Sequence, residues 1–304
     1  MLKRTITGLL ILLVVVGFIA LRYVHIAFFD LFTFGISLIA TYEIIKCITS
    51  GENKKELVKF LPYTYVSLTF LVYLLSSFDI IKSVVAILIE ILLIITIFAV
   101  SFIYNLFYLK KLQKTNKTIN NSELISTSLN TMLVVLYPGI FTSFLYKIND
   151  FGLNLGMIAI IMVFAVSMST DVFAYLLGTL THGKGPRLCP QISPKKGIIG
   201  MISGTLFGVI AGLCGYFAFA YSDVIESVIL NLATYKSVIM FLLIGLFGAI
   251  LTQVGDLVAS SVKRNHAIKD YGNIFPGHGG VMDRIDGLMF NVVSVYIIMI
   301  IFLI

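Results

Sequence analysis

The sequence predicts an all-α, polytopic integral membrane protein with about nine transmembrane helices. Three observations lead to this prediction: hydrophobic residues make up 59% of the 304 residues, charged residues only 12%, and the mean hydropathy is +1.01. An ordinary globular domain contains about a quarter charged residues, and a domain of this length buries only roughly three quarters of the surface that its unfolded chain exposes. Because one core cannot hide so much apolar surface, lipid must be part of the solvent. Segments that cross lipid should be helical, since a helix satisfies its own backbone hydrogen bonds.

Apolar runs separated by polar clusters divide the chain into nine predicted spans. A spanning helix needs about 20 apolar residues. The first run follows the basic pair Lys3-Arg4 and is similar to a secretory signal, but no small-residue cleavage site follows it, so we predict a retained helix. The predicted spans are 5–22, 26–48, 60–77, 80–107, 125–145, 155–180, 198–221, 237–262 and 286–304.

Lys and Arg residues are concentrated in every second segment between the predicted spans. This alternation supports the division into nine spans and predicts the orientation of the chain. Cytoplasmic loops of membrane proteins carry an excess of Lys and Arg. With the N-terminus in the cytoplasm, 18 of the 22 Lys and Arg residues lie on the cytoplasmic side. Those 18 are Lys3, Arg4, Lys46, Lys54, Lys55, Lys59, Lys110, Lys111, Lys114, Lys117, Lys184, Arg187, Lys195, Lys196, Lys263, Arg264, Lys269 and Arg284. The other side has only Arg22, Lys82, Lys147 and Lys236.

This alternation predicts a multi-pass protein of the cell membrane, with a cytoplasmic N-terminus and an external C-terminus. An active site built from residues of the basic loops would then face the cytoplasm. The net charge of +7 is then explained by membrane orientation, and we expect no nucleic-acid partner. Three widely spaced cysteines form neither a CxxC motif nor a disulfide framework.

Two cytoplasmic loops concentrate the residues from which active sites are made. We predict N-terminal transmembrane helices over 1–150, the variable half, and a C-terminal catalytic region over 151–304. Within the latter, loops 181–197 and 263–286 are rich in Gly, Pro, His, Lys, Arg and Asp. The basic, Asn-rich segment 108–124 is instead typical of a solvated connector, and segment 222–236 is predicted to form a short interfacial helix.

A polar stripe marks the end of the eighth predicted span. Asp256, Ser260 and Lys263 follow one another at i, i+4 and i+7, so they share one helix face. A carboxylate within a membrane span costs about 2.5–3.5 kcal/mol even on the lenient insertion scale, and it therefore suggests a functional site by default.

The loop that follows combines glycines with acids. In Pro276-Gly-His-Gly-Gly280 the glycines permit backbone conformations that turn successive N–H groups toward one anion. Asp283, Arg284 and Asp286 come next. Carboxylate oxygens suit Mg²⁺, which usually binds through one or two carboxylates and substrate phosphates. Together these features predict a metal-phosphate site.

The whole run SSVKRNHAIKDYGNIFPGHGGVMDRID, from Ser260 to Asp286, resembles the signature of the phosphatidate cytidylyltransferase family, also called CDP-diacylglycerol synthases. The signature covers under a tenth of the chain. The many predicted spans and the membrane-embedded Gly255-Asp256 are also similar to that family. The resemblance implies transfer of a cytidylyl group from CTP to phosphatidic acid, which makes CDP-diacylglycerol and pyrophosphate for phospholipid biosynthesis.

A second block resembles the family less closely. Asp171, Tyr175 and Gly178 share one face of the sixth span. The loop after it contains Ser193-Pro-Lys-Lys196, as in the family. In the family, this segment is usually followed by a Thr and, two positions later, a Glu; here Gly197 and Ile199 occupy those positions. In the sixth span, Thr179 stands where the family commonly has an Arg after the Gly.

The resemblance implies roles for individual residues. As metal ligands we predict Asp256 and Asp283, which would hold Mg²⁺, with a second cation as an open alternative. The predicted catalytic residues are Asp171, Asp256, Lys263, Arg264, Asp283, Arg284 and Asp286. The predicted substrate-binding residues are Ser193, Lys195, Lys196, Ser260, Lys269, His278, Gly279 and Gly280. The expected partners are CTP, phosphatidic acid, membrane lipids and a second copy of the chain, for which the small residues of segment 245–250 offer a contact.

Several alternatives remain open at this point. Glu43 and Glu90 also lie within predicted spans, each as either a catalytic or gating group or a buried hydrogen-bonded acid; Glu43 has Lys46 or a loop cation as a candidate partner, while Glu90 has no evident partner. Intramembrane acids also occur in ion-coupled transporters. Nearer alternatives are a cytidylyltransferase acting on an isoprenoid phosphate and a polyprenol kinase.

Overall fold

A computed structural model describes residues 2–50, 57–113, 121–180, 186–220, 234–277 and 279–303. The architecture is almost entirely helical, as the sequence predicts. The helices are α1 (Leu2–Leu21), α2 (Ala27–Ser50), α3 (Phe60–Ser77), α4 (Ser83–Gln113), α5 (Asn121–Val134), α6 (Phe141–Asn149), α7 (Leu153–Leu180), α8 (Ile198–Ala220), α9 (Thr234–Asn265) and α10 (Met282–Leu303). Two short strands, β1 (Arg187–Cys189) and β2 (Ser193–Gly197), precede α8.

Eight of the nine predicted spans correspond to helical segments that are long and apolar enough to cross a membrane. They are Ala27–Ser50, Phe60–Ser77, Ser83–Tyr104, Ile125–Asn149, Leu153–Leu180, Ile198–Phe219, Tyr235–Asn265 and Met282–Leu303. The remaining one, at the N-terminus, is helical, but its apolar stretch Ile6–Leu21 is shorter. The prediction of an all-α polytopic membrane protein is therefore confirmed.

The fifth predicted span is interrupted where the sequence predicts one continuous helix. Its helices α5 and α6 are joined by a π-helical turn, Val135–Ile140, in which Tyr137 has non-helical dihedral angles (φ −127°, ψ 96°). Pro138 follows and lacks the backbone N–H that a regular helix requires. The apolar character of the segment predicts a span, but only the local backbone chemistry of Pro138 predicts the break.

The chain divides into two compact units. The first contains Met1–Asp150 together with Asn265–Asp283, and the second contains Phe151–Arg264 together with Arg284–Ile304. Most of loop 263–286, which the sequence assigns to the C-terminal region, thus belongs to the unit of the N-terminal helices. The assignment of variable and catalytic halves stays a prediction. Most of the predicted interfacial helix, at 222–233, lies outside the described residues.

A buried acid forms a cluster of polar contacts between helices of the first unit. Glu90 of α4 is 1% exposed and forms an ion pair with Lys147 of α6 (Oε2 to Nζ, 3.0 Å). The Tyr65 hydroxyl donates to Oε1 at 3.0 Å, the Tyr73 hydroxyl to Oε2 at 2.8 Å, and the Ser143 hydroxyl to Oε1 at 2.6 Å. The interpretation that Glu90 has no evident partner is therefore wrong, because the partners come from α3 and α6 rather than from its own helix.

Glycines bring the helices of the second unit into close contact. An added Cβ on Gly212 of α8 would lie 2.5 Å from the carbonyl oxygen of Phe241 and 3.0 Å from the Cα of Gly245, both in α9. A Cβ on Gly248 would lie 2.5 Å from Oδ1 of Asn291 in α10. Segment 245–250, which the sequence offers as a contact between two copies of the chain, thus uses both glycines for packing inside one copy.

We expect Gly212→Ala to lower the free energy of unfolding by about 1–3 kcal/mol, because the new methyl group meets the backbone of α9 rather than a side chain that can move. Gly178→Ala is the matched control: it lies in α7 of the same unit, its Cβ would have only an ordinary contact with Gly200 at 3.7 Å, and Ala favours a helix over Gly by up to about 1 kcal/mol. Unfolding in mixed detergent micelles measures both. Equal stability of the two variants would contradict the prediction.

Candidate active site

The second unit brings charged residues from three helices and a hairpin together. Asp171 lies in α7, Asp256 in α9, Arg284 and Asp286 in α10, and Lys196 in β2. Sequence reasoning predicts each of these five as a site residue, although they are spread over more than a hundred positions. Their common location depends on two close helix contacts.

The first contact joins α9 and α10. A Cβ on Gly255 would lie 2.5 Å from the carbonyl oxygen of Asp286, and a Cβ on Gly287 would lie 2.9 Å from the carbonyl oxygen of Thr252. Only glycine lets two helix backbones approach this closely. Asp256 and Asp286, each next to one of these glycines, are held near each other as a result.

The second contact joins α7 and α8. A Cβ on Gly200 or on Gly204 would lie 2.9 Å from the carbonyl oxygen of Ala174 or of Thr170, respectively. Gly200 follows Lys196 by only four residues. The end of the hairpin is thereby placed next to the part of α7 that carries Asp171.

Lys196 is the central cation of this cluster. Its Nζ forms an ion pair with Oδ2 of Asp256, and both side chains are about 30% exposed. Asp171 interacts electrostatically with Asp256, which repels it, and with Lys196 and Arg284, which attract it. The cations therefore offset the repulsion between neighbouring carboxylates.

Asp286 completes the cluster. It is repelled by Asp256 and by Asp171, attracted by Lys263, and its Oδ1 accepts a hydrogen bond from the N–H of Gly287 at 2.8 Å. Lys263 is buried at the end of α9. A site with three carboxylates and three cations matches the chemistry of phosphate groups that bind with a divalent cation.

A polar network that sequence reasoning missed holds the same helices. Asn291 of α10 donates through Nδ2 to the carbonyl oxygen of Val163 at 2.9 Å and to the Ser167 hydroxyl at 2.8 Å, both in α7. Ser167 in turn lies 3.2 Å from the hydroxyl of Thr252 in α9. The sequence feature that could have indicated this network is the occurrence of polar side chains within apolar spans, where hydrogen bonds between helices are expected.

The Ser-Pro-Lys-Lys segment is a strand rather than an irregular loop. Strand β2 pairs antiparallel with β1, with Cys189 opposite Ser193 and Arg187 opposite Gly197. Nη1 of Arg187 donates to the carbonyl oxygen of Pro194 at 2.8 Å. Ser193 and Lys196 therefore sit at defined positions of a hairpin, while the side chain of Lys195 lies outside the described part of the structure.

The Gly-rich turn of the signature belongs to the first unit, and its described residues form hydrogen bonds within the loop. Oδ2 of Asp283 accepts two backbone hydrogen bonds, from Tyr271 N at 2.8 Å and from Gly280 N at 2.9 Å. Gly279 adopts a φ of +83°, and its carbonyl oxygen accepts a hydrogen bond from Phe275 N at 2.9 Å. The Gly280 N–H thus donates to Asp283, and the assignment of Gly279 and Gly280 to phosphate binding stays a prediction.

Glu43, from α2, contacts the same turn. Its Oε1 accepts from Val281 N at 3.1 Å and its Oε2 from Met282 N at 2.8 Å. The sequence suggests Lys46 or a loop cation as its partner. Lys46 does attract Glu43 electrostatically, while the hydrogen bonds come from backbone N–H groups 238 and 239 positions away.

The other predicted site residues fall into three groups. Ser260 is half-buried in α9, and Arg264 and Lys269 are exposed at its end and in the following loop. His278 lies outside the described residues. Asp256 and Asp283 belong to different compact units, so the predicted metal pair stays a prediction. Among the residues that the structure describes, no group of three or more His, Cys, Asp or Glu side chains forms a metal site by itself.

The fold and the charged cluster together define a class: polytopic membrane proteins with a charged site suited to phosphate groups. Residues 2–302 match the model of the cytidylyltransferase family, and the chain belongs to this family.

Several curated relatives carry a more specific name. The chain is 35% identical over 159 residues to a phosphatidate cytidylyltransferase of Staphylococcus saprophyticus, which covers 52% of this chain and 54% of that protein. It is 36% identical over 142 residues to a phosphatidate cytidylyltransferase of Brucella abortus, and this match covers 47% of each protein. It is also 36% identical over 159 residues to one of Staphylococcus aureus, and this match covers 52% of this chain and 54% of that protein. The match thus spans about half the length of the curated relatives.

Proposed function

We propose that the chain is a CTP:phosphatidate cytidylyltransferase, which makes CDP-diacylglycerol and pyrophosphate from CTP and phosphatidic acid. The observation that carries the proposal is the match of residues 2–302 to the cytidylyltransferase family. The names of the relatives and the signature from Ser260 to Asp286 support the lipid phosphate as acceptor. Family membership favours this reaction over a polyprenol kinase or an ion-coupled transporter.

In this reaction a phosphate oxygen of phosphatidic acid attacks the α-phosphorus of CTP, and the bond to the departing pyrophosphate breaks. Both substrates are anions, so the chain must mainly position them and neutralise their charge. We assign this task to Lys196, Lys263 and Arg284, a choice that their interactions with the carboxylates of the cluster support. Arg284 is suited to a bidentate contact with a phosphate group.

The carboxylates of the cluster would hold Mg²⁺. Asp256 is the principal candidate, with Asp171 and Asp286 beside it, and Asp283 stays the second predicted ligand. The donor set fits, since Mg²⁺ usually takes one or two carboxylates and completes its shell with substrate phosphates and water. When bound, Mg²⁺ would neutralise charge that develops on the phosphoryl oxygens.

We also propose a cytoplasmic N-terminus and an active site that opens toward the cytoplasm, where CTP is available. The charge asymmetry of the loops supports this orientation. A homodimer stays a prediction as well, and the mass of the protein in nanodiscs would measure it.

The reaction is tested with purified protein in nanodiscs that contain phosphatidic acid, supplied with Mg²⁺ and with CTP labelled at either the α- or the γ-phosphate. We expect the α-label in a lipid product on thin-layer chromatography and the γ-label in pyrophosphate. Transfer of the γ-label to lipid would indicate a kinase. A product that forms only when a polyprenyl phosphate replaces phosphatidic acid would indicate the isoprenoid alternative, and no product with either acceptor would contradict cytidylyl transfer.

A further inference from the structure

A carboxylate of α2 binds the first backbone N–H groups of α10. Glu43 is 1% exposed, and its two oxygens accept hydrogen bonds from Val281 N and Met282 N. The first N–H groups of a helix have no acceptor within the helix itself. A negative charge at this end is also favoured by the helix dipole. Glu43 therefore acts as the cap of α10, although it lies about 240 positions earlier in the chain.

Two glycines leave room for this carboxylate. A Cβ added to Gly272 or to Gly280 would collide with the carboxylate oxygens of Glu43. We call the set formed by Glu43, Gly272, Gly280, Val281 and Met282 the Glu43 socket. Because both glycines and both N–H groups face the same carboxylate, the loop closes tightly around it.

The socket is directly connected to Asp283. This residue follows Met282 in the chain, and its Oδ2 accepts the N–H of Gly280, which is itself a socket residue. Asp283 and Glu43 also repel each other electrostatically. Burying two acids side by side is unfavourable unless each is hydrogen-bonded, and here backbone N–H groups of one short segment serve both.

We propose that Glu43 is a positioning residue for the reaction: by holding the backbone at 280–282 it sets where α10 begins, and with it the orientation of Asp283. This inference rests on the proposed function, because Asp283 matters for rate only if the signature loop takes part in the chemistry. Glu43 itself has no contact with substrate in this proposal. It links an N-terminal helix to the predicted catalytic loop.

The test compares Glu43→Gln with Glu90→Gln. Both acids lie in the first unit, both are 1% exposed, and the substitution is the same. We expect Glu43→Gln to lower kcat about 10- to 100-fold, as is typical when a group that orients a functional residue is lost, with a much smaller change in KM for CTP. Glu90→Gln should lower the unfolding temperature but leave kcat of the folded protein nearly unchanged.

A wild-type kcat in Glu43→Gln, or losses in both variants that follow only their loss of folded protein, would overturn the inference. A second measurement is independent of activity: Glu43→Ala should speed amide hydrogen exchange of the peptide 271–283 more than Glu90→Gln does. Unchanged exchange in that peptide would also overturn the inference.

The contact itself is checked with Gly280→Ala, alone and combined with Glu43→Ala. The shorter side chain removes the collision, so the double variant should be no less active and no less stable than Glu43→Ala alone, whereas additive losses would contradict the socket. A wild-type protein that makes no CDP-lipid would overturn the proposed function, and the positioning role with it. The exchange and stability measurements would then still report on the socket.

Discussion

Asp256→Asn is expected to lower the rate of CDP-lipid formation by on the order of 100- to 1,000-fold, the range typical for loss of one electrostatic group at a reacting centre. Asn keeps the size of the side chain but removes the charge that pairs with Lys196 and that repels Asp171 and Asp286. If Asp256 holds Mg²⁺, the remaining activity should also need a higher Mg²⁺ concentration. Initial rates over a Mg²⁺ titration measure both effects.

The matched control is Asp79→Asn. Asp79 is an exposed acid of the first unit with a φ of +58°, a conformation that Asn tolerates well. It should retain the wild-type rate. Near-normal turnover of folded Asp256→Asn would refute the metal role, and a loss of rate without any change in Mg²⁺ dependence would assign Asp256 to the positioning of Lys196 instead.

Glu90→Ala is expected to lower the free energy of unfolding by about 3–5 kcal/mol. The change leaves Lys147, whose side chain is only 10% exposed, without its ion-pair partner, and removal of one member of a largely desolvated pair is costly for this reason. It also removes the acceptor of the hydroxyl groups of Tyr65, Tyr73 and Ser143. Equilibrium unfolding in bicelles or mixed micelles measures the change.

The double variant Glu90→Leu with Lys147→Met serves as the control for charge. It removes both charges together and fills similar volume, so much of the lost stability should return. A double variant that is less stable than Glu90→Ala would indicate that hydrogen bonds to the tyrosines and the serine, rather than the unpaired lysine, dominate the effect.

Much of the architecture can be predicted from the sequence because membrane insertion depends on local composition. Eight of the nine predicted spans correspond to long apolar helices, and the polar stripe of Asp256, Ser260 and Lys263 lies on α9 as predicted. The π-helical turn at Val135–Ile140 and the hairpin of β1 and β2 were not predicted, since each depends on a few residues in a short segment rather than on a long average.

The sequence predicts which residues belong to the candidate site better than it predicts the contacts that these residues make. The sequence identifies Asp256 as an acid within an apolar span, Asp286 as part of the acidic end of the signature loop, and Asp171 as part of the block in the sixth span. The structure brings all three into electrostatic contact in one unit. For Glu43 the sequence suggests Lys46 or a loop cation as partner; Lys46 does attract it, but its hydrogen bonds come from Val281 N and Met282 N. The sequence does not predict these backbone donors, because they depend on which atoms the fold brings close to the carboxylate.

The sequence by itself determined that the chain spans the membrane and approximately where its helices lie. It also identified the polar residues whose burial in lipid is so unfavourable that a functional or structural role is expected for them. These properties follow from the free energy of transferring short segments from water to lipid, which each segment carries independently of the rest. Only the tertiary structure decided that Lys147 neutralises Glu90, that glycines seat α9 against α8 and α10, and that Glu43 caps a helix about 240 positions away. Hydrogen bonds and ion pairs act over a few ångströms, so their partners are set by how the helices pack and not by their order along the chain.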